Sequence, residues 1–143
     1  MKALDVHVSD KAQRAFRRRA IRHFRDNKEY AEGMKLRRSV GAFHIEAYVP
    51  LLIDKADDSS VIINDAAFQA FKKQCTDEGF EYGSIHTHIT CDTAPSTSDL
   101  AESSKEGESL IGVMEIETRK KRAWSRTDYW IPQIPAHVNV IKE

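Results

Sequence analysis

Only two cysteines, Cys75 and Cys91, occur in the 143 residues. That excludes a disulfide framework and agrees with a reducing compartment. No run of 18 or more apolar residues is present, and charges occupy the N-terminal positions where a signal peptide carries its apolar region. The chain is therefore expected in the cytoplasm, without a membrane partner. Net charge is missing too, with 22 Lys and Arg against 22 Asp and Glu. The balance is uneven, however, because residues 1–38 hold 12 Lys and Arg against 5 Asp and Glu. Such a surplus suits an acidic partner or nucleic acid, but the basic face (Arg17, Arg18, Arg19, Arg22, Arg25) lacks aromatic interleaving and any nucleic-acid motif. It is expected to be a solvated helix face, and nucleic acid is not an expected partner. Internal repeats and low-complexity stretches are also absent, and the length has room for one domain, residues 1–143, with a real core.

What is present is an alternation of helical and strand patterns. Ser9 or Asp10 can cap a helix from Lys11, along which Ala12, Ala15, Phe16, Ala20 and Phe24 recur at helical spacing as far as Asp26-Asn27. Residues 29–37 are ambiguous between helix continuation and a first strand. Residues 42–53 read as a strand rich in aromatic and branched side chains, with Pro50 marking an edge or a bulge. A turn at 54–58 and a short strand at 60–63 follow. Asn64 or Asp65 caps a second helix with the stripe Ala67, Phe68, Phe71 and Cys75, ending near Gly79. Residues 81–85 form a buried strand, 110–116 another, and 119–122 a basic turn whose hairpin partner is 123–131. The tail from Trp130 to Pro135 reads as an extended segment. The order gives an α/β domain with a mixed β-sheet flanked by helices on both sides.

The chemistry concentrates after the strand at 81–85. His86 and His88 are separated by one residue, so on a strand both imidazoles point to one face. Ser96 then occupies a helix-cap position, and Asp99 follows three residues later. Two histidines, a carboxylate and an open fourth position make the donor set of a catalytic zinc rather than a closed structural one. Unliganded strand histidines and a plain capping box are the simpler readings of each half, and capping is compatible with ligation.

His-x-His, seven residues, Ser, two residues, Asp resembles the signature of the JAMM (MPN+) zinc metalloproteases. It is complete here as His86, His88, Ser96 and Asp99. The resemblance extends through the order of elements over nearly the whole chain. It departs at Ile89, where many members carry proline, and at the upstream acid, which has no clean local match. It implies a single MPN (cytidine-deaminase-like) domain, a Zn2+ cofactor on His86, His88 and Asp99, and a serine, Ser96, that stabilises an oxyanion. The family pattern favours Asp99 over the nearby Asp92, and Cys91 is not expected to serve as a ligand or nucleophile.

In the family a glutamate from the first strand is the general base. Glu29 follows the first helix by a short gap, as in the family. Glu32 shares a strand face with Tyr30, Met34 and Leu36, which would give it a partly apolar pocket. Glu46 lies on the next strand. Glu29 is preferred, with Glu32 the alternative. The resemblance implies a peptidase or isopeptidase acting on a peptide or the tail of a ubiquitin-like protein, with an extended tail bound by strand addition. With no room for large insertions, a compact bacterial, archaeal or viral-type enzyme is expected. A non-catalytic MPN-like scaffold and a RadC-like, DNA-associated relative are the alternatives. Trp124, Tyr129 and Trp130 are read as packing groups or as the lining of a peptide groove, His44 as a strand residue and His137 as a tail residue.

Overall fold

A computed structural model of the chain describes residues 5–89, 94–132 and 136–142. In chain order the elements are β1 (Asp5–Val8), α1 (Asp10–Arg25), β2 (Ala31–Ser39), β3 (Ala42–Pro50), β4 (Ile53–Ala56), β5 (Val61–Ile63), α2 (Asp65–Asp77), β6 (Glu81–His88), α3 (Thr97–Lys105), β7 (Leu110–Arg119), β8 (Arg122–Ile131) and β9 (Ala136–Lys142). The fold is mixed α/β. Seven strands form one sheet in the order β1-β3-β2-β6-β7-β8-β9, which closes because β9 also pairs with β1. The β1–β3, β1–β9 and β6–β7 pairs are parallel and the rest antiparallel. β4 and β5 make a separate two-stranded sheet.

Each helix covers what its sequence pattern offers. Ser9 caps α1 by accepting the Ala12 N–H at 3.1 Å, and the helix stops at Asp26, followed by Asn27 in the left-handed region (φ 57°). Its apolar stripe buries Phe16 and Ala20 against Met34, Leu36, Tyr48 and Ile85 of the sheet. Burial of a side chain the size of Phe16 stabilises by about 1.5–3 kcal/mol. On the other side of the sheet, α2 is capped by Asn64 and buries Phe68, Phe71 and Cys75 against Val49, Leu51, Phe80 and Tyr82. The two helices read opposite faces of β2, because side chains alternate along a strand. Met34 and Leu36 join the α1 core, whereas Gly33 lies under the Phe71 ring, where a Cβ would come within 2.6 Å.

Several boundaries differ from the sequence expectation. Residues 5–8 form a strand, DVHV, too short to stand out by pattern, with Val6 and Val8 buried. The ambiguous segment at 29–37 is largely strand β2. The stretch read as one strand over 42–53 is two, split after Pro50, and the irregularity in the ladder falls in β2 between Lys35 and Leu36. Of the segment read as an extended tail, Trp130 and Ile131 end β8 and residues 133–135 lie outside the described residues, while the stretch after it forms β9, the strand that closes the sheet. Among the described residues no helix is long and apolar enough to cross a membrane.

Candidate metal centre

β6 runs between β2 and β7, so its backbone is hydrogen-bonded on both edges and its side chains are held firmly. Ile85 and Thr87 face the α1 side and are almost fully buried. The alternate positions, Ser84, His86 and His88, line a cleft of about 720 Å³ on the α2 side. Opposite His86 in the β2 register stands Ala31, whose small side chain also lines the cleft.

The third group arrives from α3. Ser96 Oγ accepts the Asp99 N–H at 3.0 Å, while Asp99 Oδ2 accepts the Ser96 N–H at 2.8 Å, a reciprocal capping box that fixes the Asp99 rotamer. The same Oδ2 lies 3.1 Å from His86 Nε2 and 3.7 Å from His88 Nε2, and the two Nε2 atoms are 3.0 Å apart. Three donor atoms thus converge on one point, and this group could hold a metal ion. Burial alone would raise the Asp99 carboxyl. The two adjacent imidazoles, His86 the nearer, and the Ser96 N–H outweigh that and hold it far below the usual carboxylate range.

The three glutamates separate cleanly. Glu29 is buried and lines the cleft with His86, His88, Ser96 and Asp99. Burial raises its pKa, partly offset by the nearby His86 and His88. Glu32 does not line the cleft. Strand alternation turns it to the α1 side, where its fully buried carboxylate accepts from Arg19 Nε at 2.5 Å, from Arg19 Nη2 at 2.8 Å and from the Tyr30 hydroxyl. The face shared with Tyr30, Met34 and Leu36 is real, but it is the core, away from the histidines. Glu46 is at the surface, paired with Arg37 at 2.8 Å. Cys91 and Asp92 lie outside the described residues.

None of Trp124, Tyr129 and Trp130 is among the residues lining the cleft. Tyr129 is wholly buried and bonded to the Tyr48 hydroxyl. His44, on β3, bonds Ser39 Oγ at 2.8 Å and stacks on His7, and His137 is on β9. Two features of the cleft were missed from the sequence. One is Glu108, a buried carboxyl before β7 whose pKa burial lifts to about 7 despite hydrogen bonds from Ser84 and Ser103. The other is the wall formed by residues 59–63. Neither belongs to a motif, and only the fold brings them to the histidines.

No protein-family model matches the sequence, and no curated protein matches it. Solved structures do. The solution structure of protein DSY2949 from Desulfitobacterium hafniense superposes with a TM-score of 0.69 at 13% identity, covering 96% of this chain and 92% of that one. AF2198, a JAB1/MPN domain protein from Archaeoglobus fulgidus, superposes with a TM-score of 0.50 at 11% identity, over 94% of this chain and 98% of that one. The fold is MPN-like. At these identities the similarity concerns the MPN-like fold alone, and the reading of the site rests on the residues above.

Proposed function

We propose that this MPN-like chain is a zinc-dependent peptidase or isopeptidase of the JAMM type. The observation that carries the proposal is the convergence of Glu29, His86, His88, Ser96 and Asp99, from three separate stretches, on one cleft. The donor triangle of 3.0, 3.1 and 3.7 Å suits zinc. Tetrahedral ligands at 2.0–2.1 Å from an ion stand about 3.3 Å apart. His86, His88 and Asp99 would hold it. Zinc at such a site lowers the pKa of water to about 7 and polarises a scissile carbonyl.

The chain's own residues supply the proton traffic. Glu29, buried beside the histidines and raised in pKa, takes the proton from the attacking water and delivers it to the leaving amine. Ser96 Oγ uses a lone pair to accept the Asp99 N–H, which leaves its hydroxyl proton to donate to the developing oxyanion. β5 lines the cleft and, among the described residues, pairs with β4 alone. Its second edge suits an extended tail bound by strand addition, and a ubiquitin-like protein's C-terminus or a peptide is the substrate class.

Zinc content of protein purified without added metal, beside turnover of peptide and isopeptide fusions to ubiquitin-like proteins, tests this. The wild type should carry about one zinc per chain and turn over, and Glu29→Gln should keep the zinc and lose turnover. Absence of zinc even after titration overturns the reading. A non-catalytic MPN-like module fits the fold as well, and it gains the case if zinc binds fully while no fusion is cleaved.

A further inference from the structure

A second groove, of about 550 Å³, opens on the α1 side of the sheet, away from the metal centre. Its walls are α1, through Arg17, Ile21 and Arg25, and the β7–β8 hairpin, through Lys121, Arg122 and Trp124 among others. Four of its lining residues are cations and none is a carboxylate. Several basic side chains elsewhere in the N-terminal region are matched by acids. Arg14 pairs with Asp10, Arg19 with Glu32, Arg37 with Glu46 and Arg38 with Glu81.

The groove is built rather than incidental. Arg17 spans it, donating to Ser125 Oγ at 2.9 Å and to the Ala123 carbonyl at 2.6 Å, so helix and hairpin are tied together. Lys120 and Lys121 form a two-residue hairpin turn with both backbones in the left-handed region (φ 47° and 67°). Asn-Gly suits such a turn, and a lysine adopts it only at a conformational cost. Arg119 and Arg122 face each other across the same turn. Glu117 pairs with Arg119, and Lys120, Lys121 and Arg122 remain as adjacent cations at a turn whose backbone conformation does not favour lysine. Trp124, next in the strand but one, is 52% exposed, with the Arg119 guanidinium 5.9 Å from its ring centroid.

We propose that this groove binds single-stranded nucleic acid, with Arg25, Lys121 and Arg122 on the sugar–phosphate backbone and Trp124 stacking on an unpaired base at the rim. A cationic groove with an exposed aromatic is the general recognition scheme for single strands. The basic helix has no aromatic partner along the sequence, and the tertiary fold supplies one from a hairpin about 100 residues later. The inference is independent of peptidase activity.

Fluorescence anisotropy of labelled 12-residue oligothymidine and oligouridine with the full chain tests it. Three to four phosphate contacts should weaken binding roughly 20- to 50-fold between 50 and 200 mM salt. Replacing Lys121 and Arg122 together by Gln should flatten that salt dependence. Trp124→Ala should weaken binding about tenfold and leave the salt slope unchanged. Both sites are exposed, so unchanged circular dichroism and urea midpoints should accompany these losses. No binding at 50 mM salt overturns the proposal. So does equal affinity for a polyglutamate peptide of matched charge with no effect of Trp124→Ala, which would mark an acidic-peptide surface.

Discussion

Thr87 holds the Tyr30 backbone at both of its polar groups: the Tyr30 N–H donates to Thr87 Oγ1, and the Thr87 N–H donates to the Tyr30 carbonyl, both at 2.8 Å. Thr87 lies between the two histidines and Tyr30 directly follows Glu29. The pair therefore sets the distance from Glu29 to His86 and His88. Thr87→Val keeps the second bond and strips the buried Tyr30 N–H of its acceptor. The expected loss is about 1–3 kcal/mol in the urea midpoint, with turnover falling further than zinc content.

Arg19→Ala leaves the fully buried Glu32 carboxylate without its ionic partner. A destabilisation of about 3–5 kcal/mol is expected, read from urea unfolding. Zinc content should stay near one per chain in the folded fraction, because Glu32 faces away from His86, His88 and Asp99. Loss of zinc from protein that remains folded would contradict that separation.

The Glu108 carboxyl makes stability depend on pH. Its folded pKa of about 7 lies above the ordinary value of 4.5, so between these pH values the folded state holds more protons than the unfolded one. Its stabilising contribution is complete below about 4.5 and is lost as pH rises through 7. Glu108→Gln removes the loss. The variant should gain about 2–3 kcal/mol over wild type at pH 8 and much less at pH 5, measured by urea midpoints at both values.

Gly83 opens the histidine strand against β7, and a Cβ there would stand 2.0 Å from the Leu110 carbonyl oxygen. A backbone atom cannot swing aside as a side chain does. Gly83→Ala should therefore cost about 1–3 kcal/mol or more in thermal or urea unfolding, and zinc affinity should fall as β6 shifts.

Zinc should stabilise the folded chain by mass action. At a free concentration 100 times its dissociation constant the gain is about 2.7 kcal/mol, seen as a rise in Tm. His88→Ala and Asp99→Asn should each abolish the rise, because each removes one corner of the donor triangle.

The sequence by itself determined the local elements whose signals are local. The Ser9, Asn64 and Ser96 caps, the stripe of Phe68, Phe71 and Cys75, and the His-x-His spacing were legible because helix capping and side-chain periodicity act within a few residues. Only the tertiary structure decided matters of pairing. Glu29 and Glu32 carry the same chemistry three residues apart, and nothing local told them apart. The register of β2 against β6 assigns them, because strand alternation turns Glu32 toward Arg19 and the core while Glu29 lies along the cleft. β1 and β9 are likewise invisible in isolation, since a short or proline-flanked segment becomes a strand through hydrogen bonds offered by partners distant in sequence. For the same reason Arg25 and Trp124 meet across one groove only once α1 is packed beside the hairpin.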